Sequence, residues 1–245
     1  MTLSIIFMFV SAALCILVPA TAAIAMIIRR KANPLIFVLG VVSFTVSQLL
    51  LRIPIFEELH KTAWFSLFSI TQPVLYVMLL ALSAGVFEES GRYVALRFMK
   101  TDLLTWENGV VFGLGHGGME AFWLVGLQYI NMITAVLAGE HTAEVLNTAS
   151  YFYLIGGIER ILAVLLHIGF TMLVLYAVKR RNIWFFLLAV LFHFSVNAIA
   201  VIIPPMEPNT YYLIVEGIIA VFAALALFIT FKVKPKLKSS GSRKG

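Results

Sequence analysis

The sequence has little of three things: aspartate, cysteine and long polar stretches. Its one aspartate, Asp102, lies outside the long apolar runs, which argues against an intramembrane aspartyl protease. Its one cysteine, Cys15, excludes an internal disulfide framework. The motifs HExxH and GxSxG are also absent, so neither the helix of a conventional zinc protease nor the nucleophile turn of a serine hydrolase is expected. No polar stretch is long enough to build the core of a soluble domain.

Apolar residues dominate what is there, at 61% of the chain with a mean hydropathy of +0.98. About 20 helical residues cross a hydrocarbon core of roughly 30 Å. Charged or proline-containing clusters bound seven apolar runs, at approximately 3–28, 34–51, 64–99, 107–137, 150–178, 183–203 and 210–232. We therefore predict an all-α fold, a polytopic transmembrane bundle of about seven helices in the cell membrane. Residues 1–232 would form a single integral membrane domain, and 233–245 a basic, disordered tail.

Basic residues gather at one set of helix ends. They are Arg29, Arg30, Lys31, Arg97, Lys100, Lys179, Arg180, Arg181 and the cations between Lys232 and Lys244. The opposite loops hold only Arg52 and Lys61 beside several glutamates. The positive-inside rule therefore predicts an N-terminus outside and a cytoplasmic C-terminus. The net charge of +6 is then explained by attraction to the lipid bilayer, and no nucleic-acid partner is expected.

Polar residues interrupt the third to sixth apolar runs. The four groups are Glu88 and Glu89 with Arg92, His116 with Glu120, Glu159 and Arg160 with His167, and His193 with Asn197. Such side chains in hydrocarbon cost several kcal/mol unless they are paired or face a wet cavity. At 1.5 Å per residue, the acids and histidines lie roughly 15–18 Å from the basic ends of their helices. We therefore predict one shared cavity, and we expect it to open toward the cytoplasm.

The acidic pair in the third run allows two arrangements. Glu88 and Arg92 are four residues apart and can form an ion pair. Glu89 would then point away from Arg92 and would be free to act as a general base. The two acids could equally exchange these roles.

The other runs also place polar side chains on common helix faces. His116 and Glu120 are one turn apart, and the GxxxG spacing of Gly113 and Gly117 lets another backbone approach closely. Glu159 and His167 likewise share a face, while Arg160 is expected to neutralise an acid on a neighbouring helix.

The amide in the sixth run also allows two roles. Asn197 lies one turn from His193, so it can orient that imidazole or donate to a developing oxyanion.

Carboxylates, imidazoles and an amide at one depth suit hydrolysis inside a bilayer. Glutamate can activate water with histidine assistance, without any cofactor. Alternatively one divalent metal such as zinc can be held by histidines and a carboxylate. The candidate ligands for a metal are His116, His167, His193 and Glu120.

The motifs resemble those of the CAAX-protease and bacteriocin-processing superfamily of intramembrane proteases. The shared pattern is a double glutamate followed by Arg92, then Phe112-x-x-x-His116, then His193-x-x-x-Asn197. The sequence is most similar to the YhfC branch of membrane peptidases in Phe87–Tyr93, in Gly115–Ala121, and in Glu159-Arg160 with His167. The last motif also resembles that of the related PrsW-type site proteases. The resemblance spans roughly 35–200.

The resemblance implies an intramembrane endopeptidase acting on a peptide or membrane-protein substrate, glutamic or metal-dependent. In it, Glu88 or Glu89 activates water, His116 and His193 assist, and Asn197 forms an oxyanion site. Arg92, Glu120, Glu159, Arg160 and His167 would support these groups or complete a metal site. The CAAX-type motif has three residues between the second glutamate and the arginine, whereas this chain has two, so both acids remain candidates for the base.

Two other functions use the same residues. In a proton- or ion-coupled transporter, the glutamates and histidines would relay protons. A non-catalytic peptide-binding or immunity protein would bind a peptide on the same scaffold without turnover. The absence of evident repeats argues against the transporter. The sequence makes no prediction of oligomeric state.

Overall fold

The protein is described by a computed structural model over residues 2–140, 142–203 and 207–237. Within these residues the regular structure is helical throughout, which confirms the predicted all-α fold. The helices are α1 (Thr2–Arg30), α2 (Pro34–His60), α3 (Ala63–Thr71), α4 (Pro73–Arg97), α5 (Trp106–Leu137), α6 (Thr142–Asn147), α7 (Tyr151–Arg180), α8 (Trp184–Ile202) and α9 (Pro208–Val233).

Among the described residues, six helices are long and apolar enough to cross a membrane, namely α1, α2, α4, α5, α7 and α9. The apolar helix α8 is shorter. This agrees with the predicted bundle of about seven helices. The protein is a multi-pass membrane protein.

The third predicted helix, 64–99, is in fact two helices. α3 ends at Thr71 and α4 begins at Pro73, with Gln72 between them in a non-helical conformation (φ −131°, ψ 56°). Proline has no N–H to donate and disfavours the α conformation in the residue before it, so the helix stops at this point. Only the second part, α4, carries the polar motif.

Two spanning helices contain a π-helical segment, where the chain forms i→i+5 hydrogen bonds. In α2 the segment is Thr45–Arg52, closed by the bond from the Ile53 N–H to the Gln48 carbonyl. In α5 it is Phe122–Gly126. Such segments widen a helix locally and are frequent at functional sites. Both segments contribute side chains to the cavity described below.

The centre of the bundle is formed by α5 and α7, whose apolar windows are the most deeply buried of the spans. A Cβ on Gly113 would lie 2.7 Å from Ile168 Cα, and one on Gly117 would lie 3.0 Å from Val164 Cα. The predicted close approach at the GxxxG spacing is therefore confirmed, and α7 is the helix that approaches. On another face of α5, a Cβ on Gly115 would lie 2.2 Å from the Phe37 carbonyl oxygen of α2.

The basic end of the bundle is closed by chain segments that follow the helices. Lys179 Nζ donates to the Leu104 and Leu237 carbonyls at 2.9 and 2.8 Å. Leu237 is buried at the end of a short 3₁₀ turn, Lys234–Leu237. The first part of the predicted tail is therefore folded onto the bundle, whereas its remainder, 238–245, lies outside the described residues.

Candidate active site

The structure brings the polar groups of α4, α5, α7 and α8 together at one level of the bundle, as their shared depth predicted. Glu88, Glu89, Arg92, His116, His167 and His193 are all buried. Glu120, Glu159 and Arg160 lie beside them and are partly buried, and Asn197 is exposed.

Glu88 lies among three imidazoles from three different helices. His116 Nε2 donates to Glu88 Oε2 at 3.0 Å. His167 Nδ1 lies 3.9 Å from the same oxygen, and His193 Nε2 lies 3.9 Å from Glu88 Oε1. The carboxylate of Glu88 is therefore the point on which the histidines of α5, α7 and α8 converge.

Glu89 has different partners and points away from Glu88. Its Oε1 accepts a hydrogen bond from Arg92 Nη1 and another, at 2.8 Å, from His193 Nδ1. Of the two pairings that the sequence allowed, the structure therefore has the one between Arg92 and Glu89, and not the one between Arg92 and Glu88. The reason is the helix geometry, since residues three and four apart are both neighbours and only the surrounding helices decide between them.

A cavity of about 590 Å³ adjoins this cluster. Glu88 lines the cavity together with His167 and His193, while Glu89 is fully buried behind them. This difference separates two adjacent acids whose roles remained open in the sequence.

The cavity lies on the side of the cluster away from the basic helix ends. Its walls come from Phe44–Ile53 of α2, Glu120–Leu124 of α5, Glu159–Phe170 of α7, His193–Ile199 of α8 and Tyr211–Ile219 of α9. Each range occupies the part of its helix distant from the basic end. The predicted opening toward the cytoplasm is therefore wrong. The depth of a residue in the bilayer does not indicate the side of access, since a group near the centre can be approached from either side.

An ionic chain supports His167 from the cavity side. His167 Nε2 contacts Glu120 Oε2. Glu120 Oε1 in turn accepts a hydrogen bond at 2.9 Å from Arg160 Nη1, and Arg160 Nη2 donates to Glu159. Arg160 thus neutralises an acid on the neighbouring helix α5, as predicted. The chain leaves Nδ1 as the nitrogen of His167 that faces Glu88.

Asn197 lines the cavity one turn beyond His193. Because Glu89 already holds His193 Nδ1, the first of the two roles predicted for the amide, orienting that imidazole, belongs to Glu89. The second role, donation to a group bound in the cavity, is compatible with its position.

Sequence reasoning missed two residues on the π-helical segment of α2. Gln48 is buried, and its Nε2 donates to Glu88 Oε1. Arg52 Nη1 donates to Gln48 Oε1 at 3.1 Å, while Arg52 itself is held by Ser83 Oγ at 2.9 Å and by the Leu80 carbonyl at 2.8 Å. The sequence did offer a signal for both residues, namely an amide inside an apolar run with an arginine one turn later.

Among the described residues, Glu88, His116 and His167 form a group that could hold a metal ion, with ligand atoms all within 4.8 Å of one another. The donor set fits, because catalytic zinc sites use three nitrogen or carboxylate ligands and leave a position open. The contact between Glu120 and His167 Nε2 also matches the usual support of a metal-bound imidazole by a carboxylate. Arg92 Nη2 lies 3.0 Å from His167 Nδ1, so Arg92 would have to move away from that nitrogen for His167 to hold a metal through it.

Comparisons with known proteins identify the family of the chain. The model of a family described as YhfC intramembrane metalloprotease matches residues 14–222. A protein of Bacillus subtilis (strain 168), described as uncharacterized membrane protein YhfC, is 32% identical over 250 residues, covering 94% of this chain and 96% of that protein. No solved structure matches the chain. Matches of this extent, over all four helices that carry the polar cluster, show that the chain belongs to the YhfC intramembrane metalloprotease family.

Proposed function

We propose that the protein is an intramembrane endopeptidase in which Glu88 is the catalytic base for hydrolysis of a peptide bond of the substrate. One observation carries the proposal: Glu88 lines a cavity within the membrane domain and has three imidazole nitrogens within 3.9 Å. A carboxylate among imidazoles can accept a proton from water and pass it to a leaving amine, which are the proton transfers that peptide hydrolysis needs.

Glu88 takes the water proton in this scheme, and His116, its nearest histidine neighbour, stabilises the Glu88 carboxylate through the hydrogen bond from its Nε2. His193 presents Nε2 toward Glu88 because Glu89 holds its other nitrogen. Arg92 neutralises Glu89, so that the acid behind the site acts as a fixed support rather than as a second base. Asn197, from the cavity wall, is placed to donate to the carbonyl oxygen of the scissile bond.

Glu88, His116 and His167 would hold a divalent metal in this site. A bound ion of this kind supplies Lewis-acid polarisation and a water that ionises near neutral pH. With such an ion Glu88 would be a ligand, and without it Glu88 is the base. Glu89, Gln48 and Glu120 fix the same nitrogens and the same carboxylate in either case.

Gln48 is the residue that sets the direction of the Glu88 carboxylate. Its amide nitrogen donates to Glu88, and its amide oxygen accepts from Arg52, so the arginine fixes which end of the amide faces the acid. A carboxylate held from one side by an amide and from the other by His116 has little freedom to rotate. Such preorganisation lowers the cost of reaching the transition state.

The experiment is cleavage of a membrane-protein reporter by purified protein in proteoliposomes. Glu88→Gln keeps the size of the side chain but cannot act as a base, and we expect about 10²–10⁴-fold slower cleavage. The matched control is Glu58→Gln, which alters an exposed glutamate near the C-terminal end of α2 that is paired with Lys61, and which we expect to keep full activity. Unchanged cleavage by Glu88→Gln would refute the proposal.

A further inference from the structure

The walls of the cavity indicate from which side of the membrane a substrate reaches Glu88. On α7 the lining residues run from Glu159 to Phe170, in the part of the helix before Lys179 and Arg180. On α9 they run from Tyr211 to Ile219, at the end opposite Lys232. On α2 they lie beyond Phe44, distant from Arg29 and Arg30. Helices running in both directions thus place the cavity at the same end.

In the other half, the centre of the bundle is filled with packed side chains. Between the cluster and the basic ends, Leu96 of α4, Phe112 of α5 and Met172 of α7 are fully buried. A Cβ on Gly109 would lie only 2.8 Å from the Met172 side chain, which shows how closely α5 and α7 meet there. Packing of this density leaves no room for water or for a peptide between α5 and α7. An apolar groove of about 470 Å³ does run between α2 and α4, from Leu39 and Ala95 to Leu51 and Val86, but neither Glu88 nor Glu89 lines it.

The basic end is also closed by hydrogen bonds between chain segments. Lys179 joins the loop before α5 to the turn after α9 through the Leu104 and Leu237 carbonyls. Trp106 Nε1 donates to the Thr230 carbonyl at 2.8 Å, and Lys234 Nζ lies 4.1 Å from the centre of the Trp106 ring. A path from this end to Glu88 between α5, α7 and α9 would have to break these contacts.

The end of the cavity away from the basic helix ends resembles an entrance at the membrane–water interface. Tyr212 lines the cavity and is 40% exposed, and Asn197 is exposed beside it. Amphipathic aromatic rings are typical of the boundary between hydrocarbon and water. Further inside, the walls carry Glu120, Glu159 and Arg160, which offer polar partners for the backbone of an unwound segment.

We infer that substrate reaches Glu88 from the membrane face opposite the basic helix ends, which the positive-inside rule makes the extracytoplasmic face. This inference rests on the proposed function for its substrate class: a membrane protein whose scissile bond lies in the half of the bilayer next to that face. Hydrolysis there adds one water, leaving a carboxylate on one fragment and an amine on the other. The fragment on the extracytoplasmic side is released to that side.

The single native cysteine makes access directly measurable. In a Cys15→Ala background, one cysteine at a time replaces Leu49, Val196 or Ile219, three apolar wall residues from three helices. The marker variants Lys31→Cys and Lys61→Cys report the basic and the opposite face, since both lysines are exposed. Leu175→Cys, in the packed half, is the matched buried control. A small membrane-impermeant methanethiosulfonate is applied to one face of sealed, oriented vesicles.

We expect the three wall cysteines to react from the face that labels Lys61→Cys, at least tenfold faster than from the face that labels Lys31→Cys, with Leu175→Cys unreactive. Reaction from the basic face, from both faces equally, or from neither would overturn the inference. Three wall positions are used so that one misfolded variant, recognised by its lowered unfolding temperature, does not decide the result.

Labelling does not require catalysis, so it separates the two proposals. Outward access in a protein without peptidase activity would refute the proposed function alone. Cleavage activity combined with access from the basic face would refute this inference alone. In an active preparation, mass spectrometry of a reporter with susceptible bonds in both halves of its span should find the cut in the half next to the Lys61 face.

Discussion

The two halves of the helix bundle, divided at the level of Glu88, are built differently. In the half next to the basic ends, α5 and α7 meet through glycines, and large side chains such as Phe112 are fully buried. In the other half, parts of the same helices are walls of a cavity of about 590 Å³ with charged side chains. Glu89 belongs to the packed half and Glu88 to the open one. The comparison teaches that adjacent acids acquire different chemistry from the space each one faces.

The largest expected effect comes from removing the charge of Glu88 or of Glu89 and comparing the two variants. Glu89→Gln leaves the buried guanidinium of Arg92 without its carboxylate and weakens the hold on His193. Breaking a buried ion pair from one side typically costs about 3–5 kcal/mol. We therefore expect Glu89→Gln to lower the unfolding temperature strongly in detergent, whereas Glu88→Gln slows cleavage about 10²–10⁴-fold and leaves that temperature nearly unchanged. Equal loss of stability in both variants would contradict the division between the acids.

Metal content distinguishes the three histidines of the cluster from one another. Elemental analysis of purified protein should find one divalent metal per chain, lost in His116→Ala and in His167→Ala. His193→Ala should retain most of it, because the group with ligand atoms within 4.8 Å consists of Glu88, His116 and His167. Loss in all three variants would place His193 among the ligands. A wild type free of metal after purification without chelator would favour the glutamate-only reaction.

A larger side chain in the packed half of the bundle should lower the free energy of unfolding more than a larger side chain at the cavity wall. Gly113→Leu places side-chain atoms where Ile168 Cα lies, so the backbones of α5 and α7 must separate. Overpacking typically costs about 1–3 kcal/mol. Ala163→Leu adds a similar volume at the cavity wall, and we expect no more than about 0.5 kcal/mol there. Thermal unfolding of both variants measures the difference, and equal destabilisation would show that the cavity half is as tightly packed as the other.

Loss of the amide that orients Glu88 should slow cleavage without unfolding the protein. Gln48→Leu removes the hydrogen bond to Glu88, and a hydrogen bond to a charged group contributes about 1.5–3 kcal/mol, so we expect kcat to fall about 10–100-fold. Gln48→Glu should be no better, because it places a second carboxylate against Glu88. Gln128→Leu makes the same change at an exposed position of α5 and should leave kcat unchanged. A change in KM alone would argue for substrate contact instead.

The smallest effect is expected at the closed basic end. Lys179→Met removes donors to the Leu104 and Leu237 carbonyls but keeps the aliphatic chain. We expect a loss of about 1 kcal/mol of stability and an unchanged cleavage rate, since substrate does not pass this end. Lys100→Met, at an exposed lysine of the same face, is the control. Faster cleavage by Lys179→Met would indicate a second route to Glu88.

Hydropathy predicted most of the fold because spanning a bilayer requires long apolar helices, and the seven apolar runs correspond to α1, α2, α4, α5, α7, α8 and α9. The break at Gln72 was missed although Pro73 signalled it. The members of the cluster were predictable, since a buried charge in hydrocarbon must have a function or a partner. Gln48 was passed over because a lone amide is a weaker signal than an acid or a histidine.

Helix length and the cost of buried charge are local properties, so the amino-acid pattern alone predicts a membrane-embedded helical bundle with acids, histidines and an amide at one depth. Three features appear only in the folded protein: Arg92 pairs with Glu89, Gln48 and His116 hold Glu88, and the cavity lies away from the basic ends. These features depend on how each helix is rotated about its axis and on where neighbouring helices come close. That is set by packing between residues distant in the chain.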